Sequence, residues 1–309
     1  MTALLDVACH LPGTSVPIES VGGPEHHHQM RIFRRYFGLD RVHRAPDRTL
    51  FQLHAAAAGK LTELRGREHR VRYVVLARSL STHGVTSEQP PEQLCRELGL
   101  PNAVAFTVTQ HACAVGLLAV HLVGDLLTAD DDPDALGLVL AGQHPTTSGI
   151  QLVPHSTVLG AATAAVLVAP DGTRDRLLSY VAHTGGGYAE SIPPMPVEQG
   201  FLEEHQEALK ATIEEAAEAA GVRLSDLTLI LPHNVNTVVW RKLCEDHGLG
   251  VDQRRILLDN VPVTGHCFSA DSYINHVTAR QRGLLSPGDP YLMVGVGLGA
   301  TYAAAVFRH

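Results

Sequence analysis

Tryptophan is nearly absent from this chain: Trp240 is the only one in 309 residues, and aromatic residues make up just 5%. Cysteine is also sparse. The five cysteines (Cys9, Cys95, Cys113, Cys244, Cys267) are odd in number, irregularly spaced and without a CxxC pair. That pattern argues against a disulfide framework and a cysteine-built zinc site, and points to a reducing, cytoplasmic setting. No stretch of about 18 consecutive apolar residues occurs, so no membrane-spanning helix is expected. The N-terminus, MTALLDVACHLPGTSV, lacks the basic and apolar regions of a signal peptide. No Lys/Arg run interleaved with aromatics is present and the net charge is −8, which disfavours a nucleic-acid partner. Charged residues are only 18% against 45% hydrophobic, enough for a large core and too apolar for disorder.

Histidine, by contrast, is abundant, with nineteen residues. Glu25-His26-His27-His28 invites a metal reading. Adjacent histidines in a loop lack the fixed ligand spacing that a helix or strand supplies, so no metal is expected there. The densest basic segment runs from Arg31 to Arg44. It reads either as a solvated face or as a surface for an acidic partner. Ala129 to Asp134 reads as a solvated loop or turn, and Gly185 to Gly187 as a flexible connection. Gly295-x-Gly-x-Gly299 lacks the order of a dinucleotide fingerprint, so no cofactor is expected.

Apolar runs alternate with helical stretches, which predicts an α/β fold with strands buried on both faces. Arg72–Ser79, Val104–Val108, Leu136–Gly142, Leu227–His233 and Tyr291–Gly297 read as strands. Phe201–Ala220 reads as a helix, with Leu209, Ile213, Ala216 and Ala217 at helical spacing and Gly221 just past its end. Three pairs of segments share one offset of 155 residues: Arg72 with Leu227, Leu136 with Tyr291, and Val108 with Val263. The last pair carries Val-Thr-x-His in both copies. Chance likeness of apolar strands is the simpler explanation, but the shared polar motif favours a second half that repeats the first. The expected division is 1–170 and 171–309.

Cys113 lies in Gln110-His-Ala-Cys113, between a strand-like run and a long apolar helical run. Backbone N–H groups and the helix dipole at such a turn favour thiolate. A cysteine before an apolar helix is more often a packed core residue. Here, however, His233 ends a buried strand, and His266 enters another helix at the position matching His111 in the repeat. If the strand ends converge, Cys113, His233 and His266 meet.

These residues resemble a known family. Leu231-Pro-His-Asn-Val-Asn236 resembles the His-Gln-Ala-Asn motif of β-ketoacyl-acyl-carrier-protein synthase III, a branch of the thiolase superfamily. Gly265-His-Cys-Phe-Ser-Ala-Asp271 resembles its Gly-Asn-Thr-Ser-Ala-Ala-Ser motif. Gly283-Leu-Leu-Ser-Pro-Gly-Asp289 and Val294 to Tyr302 resemble its closing segment. The resemblance implies a thiolase-like fold of two pseudo-repeated halves stacked as an αβαβα layered sandwich. It implies that Cys113 takes an acyl group from a thioester and that His233 polarises the second substrate's carbonyl. It also implies an oxyanion hole built from the backbone N–H groups of Cys113 and Gly299, with Asn236 orienting the loop or holding water. The donor would arrive as a phosphopantetheine thioester on an acyl carrier protein or CoA, and the protein would be a homodimer.

Two departures matter. The family's Asn is His266 here, giving a Cys-His-His set like that of elongating ketosynthases. The stretch matching the family's CoA-clamping tryptophan, Gln29 to Phe37, has none, which favours a carrier-protein donor met by Arg34 and Arg35. The leading expectation is therefore a condensing acyltransferase of polyketide-type or specialised metabolism. Transfer to a hydroxyl or amine, or a non-catalytic partner subunit of a ketosynthase, are the alternatives.

Overall fold

The computed structural model describes residues 2–79, 91–145, 148–188 and 198–309; within these, the side chains of 148, 149, 199, 202 and 203 are not described. Thirteen strands are found among the described residues: β1 Ala3–His10, β2 Thr14–Pro17, β3 Arg41–Arg44, β4 Val71–Ala77, β5 Val104–Val108, β6 Leu136–Ala141, β7 Leu152–Val153, β8 Thr157–Val158, β9 Thr163–Ala169, β10 Arg176–Thr184, β11 Leu229–Leu231, β12 Pro290–Gly297 and β13 Thr301–Arg308. The α-helices are α1 His27–Ile32, α2 Leu50–Ala58, α3 Pro91–Glu97, α4 Val115–Asp130, α5 Ser148–Gln151, α6 Gln199–Ala219, α7 Thr237–Glu245, α8 Val261–Thr264 and α9 Asp271–Gln281.

Nine strands are hydrogen-bonded in the order β11-β12-β13-β10-β1-β9-β6-β4-β5. The join in the middle is slight, since β1 and β10 pair only at Ala3 and Arg176. On either side of that join the topology repeats. β4 runs parallel to β6, β6 antiparallel to β9, and β9 antiparallel to β1. Likewise β11 runs parallel to β12, β12 antiparallel to β13, and β13 antiparallel to β10. The repeat fails at one place. β5 is a full parallel neighbour of β4, whereas its counterpart beside β11 shrinks to a single bridge between Ile230 and Ile256. The second Val-Thr-x-His copy therefore begins in the short helix α8, where Pro262 sits in the first turn.

Side-chain alternation turns the two sheets into a layered sandwich. In β4, Val75 and Ala77 point to one face and Val74 and Leu76 to the other. In β12, Tyr291 and Met293 face one way, and Leu292, Val294 and Val296 the other. The shared core between the sheets is filled by α4 and α9, through Val120, Val123, Tyr273 and Ile274. The outer faces are covered by α2 and α3 on the first sheet and by α6 and α7 on the second. The layers are thus αβαβα. Because both faces of each strand are buried, the strands read as continuous apolar runs rather than alternating ones.

Three segments singled out in the sequence take the following forms. Ala129–Asp134 is exposed and ends in a turn, as expected, with α4 continuing to Asp130; the Asp130 carboxylate accepts from the Tyr73 hydroxyl at 2.8 Å, and Asp134 pairs with Arg70 at 2.8 Å. Pro24–His26 form a 3₁₀ turn leading into α1 rather than a loop. Ala112–Asp130, with a mean hydropathy of 1.8, is long and apolar enough by composition to cross a membrane, yet half of it is buried in the central layer.

Candidate active site

A 3₁₀ turn over Ala112–Ala114 carries Cys113 between β5 and α4, so the cysteine stands at the start of a sixteen-residue helix. The approach is strained. Gln110 and Ala112 have φ of 76° and 43°, a region that costs a non-glycine residue about 1–2 kcal/mol. Tertiary contact holds the turn against this cost. Two glycines of β12 admit it: a Cβ on Gly297 would stand 2.4 Å from the His111 carbonyl oxygen, and one on Gly295 would stand 3.0 Å from the Ala114 Cα. The glycines of the Gly295-x-Gly-x-Gly299 run serve this close packing. At Gly299, in the turn between β12 and β13, φ is 126° and a Cβ would meet nothing within 4 Å.

His266 is placed through its backbone. Its N–H donates to the Val158 carbonyl at 3.1 Å, and its own carbonyl accepts from Gly160 N–H at 2.9 Å, a short parallel bridge beside β8. Gly265, at φ 60°, allows this approach, since a Cβ there would stand 2.6 Å from the Val158 oxygen. The His266 ring reaches two partners. Its Nδ1 lies 2.5 Å from Asp271 Oδ2, and its remaining edge is within hydrogen-bonding reach of the Cys113 sulfur.

Asp271, the first residue of α9, is 1% exposed and fully engaged. Besides His266, it accepts from the backbone N–H of Cys267 at 2.7 Å and of Asn234 at 2.5 Å. These donors fix the carboxylate's position at the start of α9. Burial disfavours a charge on His266, but the carboxylate and the cysteine sulfur outweigh it and push the imidazole up to about 10. Cys113, His266 and Asp271 thus form a linear chain in which the acid holds the ring with Nδ1 inward and Nε2 toward sulfur.

His233 lies just beyond β11. The Trp240 indole N–H donates to its carbonyl at 3.2 Å, and its ring sits 6.3 Å from that of His266. Burial, then the neighbouring His266 and His205, drives this imidazole well below its ordinary value, so it is neutral. Asn236 caps α7, accepting from Val239 N–H at 3.0 Å, while its amide donates to the Ser156 carbonyl at 3.0 Å. It therefore ties the start of α7 to the backbone at Ser156. Cys113, His233, His266 and Asn236 all line one cavity of about 400 Å³ with mostly apolar walls.

The three residues expected to converge do so. The sequence reading missed Asp271 as a partner. The signal was present, because the same motif that carries His266 for Asn also carries Asp271 for its final Ser, two changes in one loop. The reading also missed His205, which lines the cavity from α6. Arg34 is occupied by Glu19 at 3.0 Å and Asp40 at 2.6 Å, and Arg35 lies over the ring of Tyr36.

Known proteins resemble this chain in sequence and in fold. Residues 217–309 match the family model described as 3-oxoacyl-(acyl-carrier-protein) synthase III C terminal. The beta-ketoacyl-(acyl-carrier-protein) synthase III of Thermosynechococcus vestitus is 25% identical over 295 residues, covering 85% of each chain. The protein of the same name from Clostridium tetani is 28% identical over 96 residues, 31% of this chain and only 28% of that protein's length. Among solved structures, the acyltransferase ChlB3 superposes with a TM-score of 0.83 at 21% identity, covering 99% of this chain and 97% of that one, which establishes the shared fold. The repeated sheets and the matched C-terminal segment agree: the chain shares the fold of ChlB3, and its C-terminal third matches the synthase III C-terminal family model.

Proposed function

We propose that this protein is an acyltransferase that loads an acyl group on Cys113 and passes it to a hydroxyl or amine acceptor. The observation that carries this reading is the buried His266–Asp271 contact at 2.5 Å beside Cys113. In the first step the thiolate of Cys113 bonds to the carbonyl carbon of an incoming thioester. The resulting oxyanion is held by the backbone N–H groups of Cys113 and Gly299, where preorganised donors are worth about 3 kcal/mol each. The donor's C–S bond then breaks, and His266 gives its Nε2 proton to the leaving thiolate. Loading removes the sulfur's negative charge, so His266 becomes a neutral base still oriented by Asp271. It accepts the acceptor's proton as oxygen or nitrogen attacks, and the bond to Cys113 breaks. The thiolate and the protonated imidazole are restored. His233, neutral and facing the same cavity, donates to the reacting carbonyl.

Decarboxylative condensation with a carrier-bound malonyl-type unit is the second reading. It is favoured by the names of the synthase III relatives and by two imidazoles able to donate to an enolate. In this function the donor is a phosphopantetheine thioester on an acyl carrier protein or CoA, within polyketide-type specialised metabolism in the cytoplasm. The working form is a homodimer through the open edge at β5, where Val104 is 61% exposed, since an uncovered strand edge invites pairing. We place the boundary of the two halves near residue 170, between β9 and β10. The test is to incubate enzyme with acyl thioesters, with and without a malonyl thioester, and to weigh protein and products. Acylation that is lost in Cys113→Ala, followed by ester or amide formation without carbon dioxide, is expected. Carbon dioxide release coupled to product would select condensation instead, and a mass shift surviving in Cys113→Ala would overturn both.

A further inference from the structure

The cavity holds a third buried imidazole that neither reaction uses. His205 lies on α6 four residues after Phe201, so both project from the same face of the helix. Its ring packs against Phe201 at 5.1 Å and Tyr302 at 5.7 Å, and it lines the cavity that holds Cys113. It is only 8% exposed, and its Nδ1 is buried without a hydrogen-bond partner among the described residues.

A purely packing role does not account for an imidazole here. Between Phe201 and Tyr302 a phenyl ring would fill the same space with no polar atom stripped of water. The unpaired nitrogen, by contrast, carries a desolvation penalty of about 1–3 kcal/mol. Protonation offers no escape. Burial lowers the imidazole to about 4, and a charge there would face His233. His205 is therefore a neutral polar group in a mostly apolar cavity, whose walls include Val239, Val296 and Leu298. Nδ1 is closed off from the cavity, so the ring meets a ligand there through Nε2.

The chemistry of that ligand follows from the ring. A neutral imidazole has one donor nitrogen and one acceptor nitrogen. A hydroxyl both donates and accepts, so it suits Nε2 in either tautomer. An ammonium can only donate and a carboxylate can only accept, and apolar walls penalise both charges. Resting on the acyl-transfer reading above, we propose that His205 sets acceptor specificity by hydrogen-bonding a second hydroxyl of the acceptor while the first attacks the Cys113 thioester. The enzyme then favours di- and polyhydroxylated acceptors over monohydric ones.

The experiment loads Cys113 from an acyl N-acetylcysteamine thioester and confirms loading by intact mass. The loaded enzyme is then discharged to straight-chain α,ω-diols and to the monohydric alcohols of equal length, with ester formation followed by mass spectrometry. The wild type is expected to favour the diol of best length by about tenfold, the worth of one added hydrogen bond, beyond the statistical factor of two ends. His205→Phe should reduce the preference to the statistical factor, and His205→Gln, which can still donate and accept, should recover part of it. Thermal melting should show His205→Phe to be as stable as the wild type or more so. A preference that persists in His205→Phe, or a wild type with no preference beyond the statistical one, overturns the inference. A loaded wild type that discharges to no alcohol at all refutes transfer to oxygen itself, and the inference falls with it.

Discussion

Replacing Asp271 by Asn isolates the charge that orients His266. The amide keeps the carboxylate's shape, but three donors converge on it: His266 Nδ1 and Asn234 N–H at Oδ2, and Cys267 N–H at Oδ1. An amide can place its oxygen toward two of them, leaving its NH₂ against the third, which costs about 1–3 kcal/mol of stability. The effect on rate is separable. His266 is raised to about 10 from an ordinary 6.5 in spite of burial. At about 1.4 kcal/mol per tenfold, that net gap is about 5 kcal/mol, so Asp271 and the Cys113 sulfur together supply at least that much against burial. Giving Asp271 half predicts a loss of roughly 50- to 100-fold in acyl transfer, and the roughly 10⁴-fold loss seen when a triad Asp becomes Asn sets the upper end. Single-turnover loading and discharge, followed by intact mass, measures it. The pH dependence of stability gives an independent reading. Because the folded value of His266 lies above its ordinary one, its stabilisation is complete below about pH 6.5 and is lost as pH rises through about 10. Asp271→Asn should flatten that alkaline decline. A folded Asp271→Asn enzyme whose transfer rate stays within threefold of the wild type would refute the role assigned to the carboxylate.

Three further outcomes are expected. Gly297→Ala should displace the nucleophile turn, because the new Cβ would stand 2.4 Å from a backbone oxygen that has no rotamer to escape with; Cys113 loading should fall at least tenfold, and a wild-type loading rate would disprove the contact. Asp175, buried beside the Tyr291 hydroxyl at 2.9 Å and the His309 ring at 2.7 Å, is held at about 2 by His276 and His309 in spite of burial. Its stabilisation, about 2 kcal/mol, is present above pH 3.8 and lost as pH falls through about 2, so Asp175→Asn should lower the melting temperature at pH 7 and narrow the gap at acid pH. Asn236→Ala removes the cap of α7 and the tether to Ser156, and should cost about 1–2 kcal/mol in chemical denaturation while loosening the cavity wall; no change in the midpoint would contradict the capping.

The sequence by itself determined the α/β class, the buried strands and the repetition of the halves. These are properties of local pattern: an apolar run long enough for a strand buried on both faces, and a Glu/Ala-rich helix ending at Gly221, carry their conformation in neighbouring residues. It also marked Cys113, His233 and His266, since each sits where a strand ends or a helix begins. The repeat misled at Val263-Thr264, where proline in the first turn and the lost strand partner made a helix from residues that match strand β5. Only the tertiary structure decided how the site is wired. Asp271 becomes the partner of His266 because the loop between Gly265 and α9 folds back on itself, and because Asn234, 37 residues away, supplies a third donor to the same carboxylate. His205 enters the cavity because α6 lies across the second sheet beside Tyr302. Hydrogen bonds and burial of this kind depend on distance in space, and residues far apart in the chain become neighbours only when the two sheets close on their shared helices.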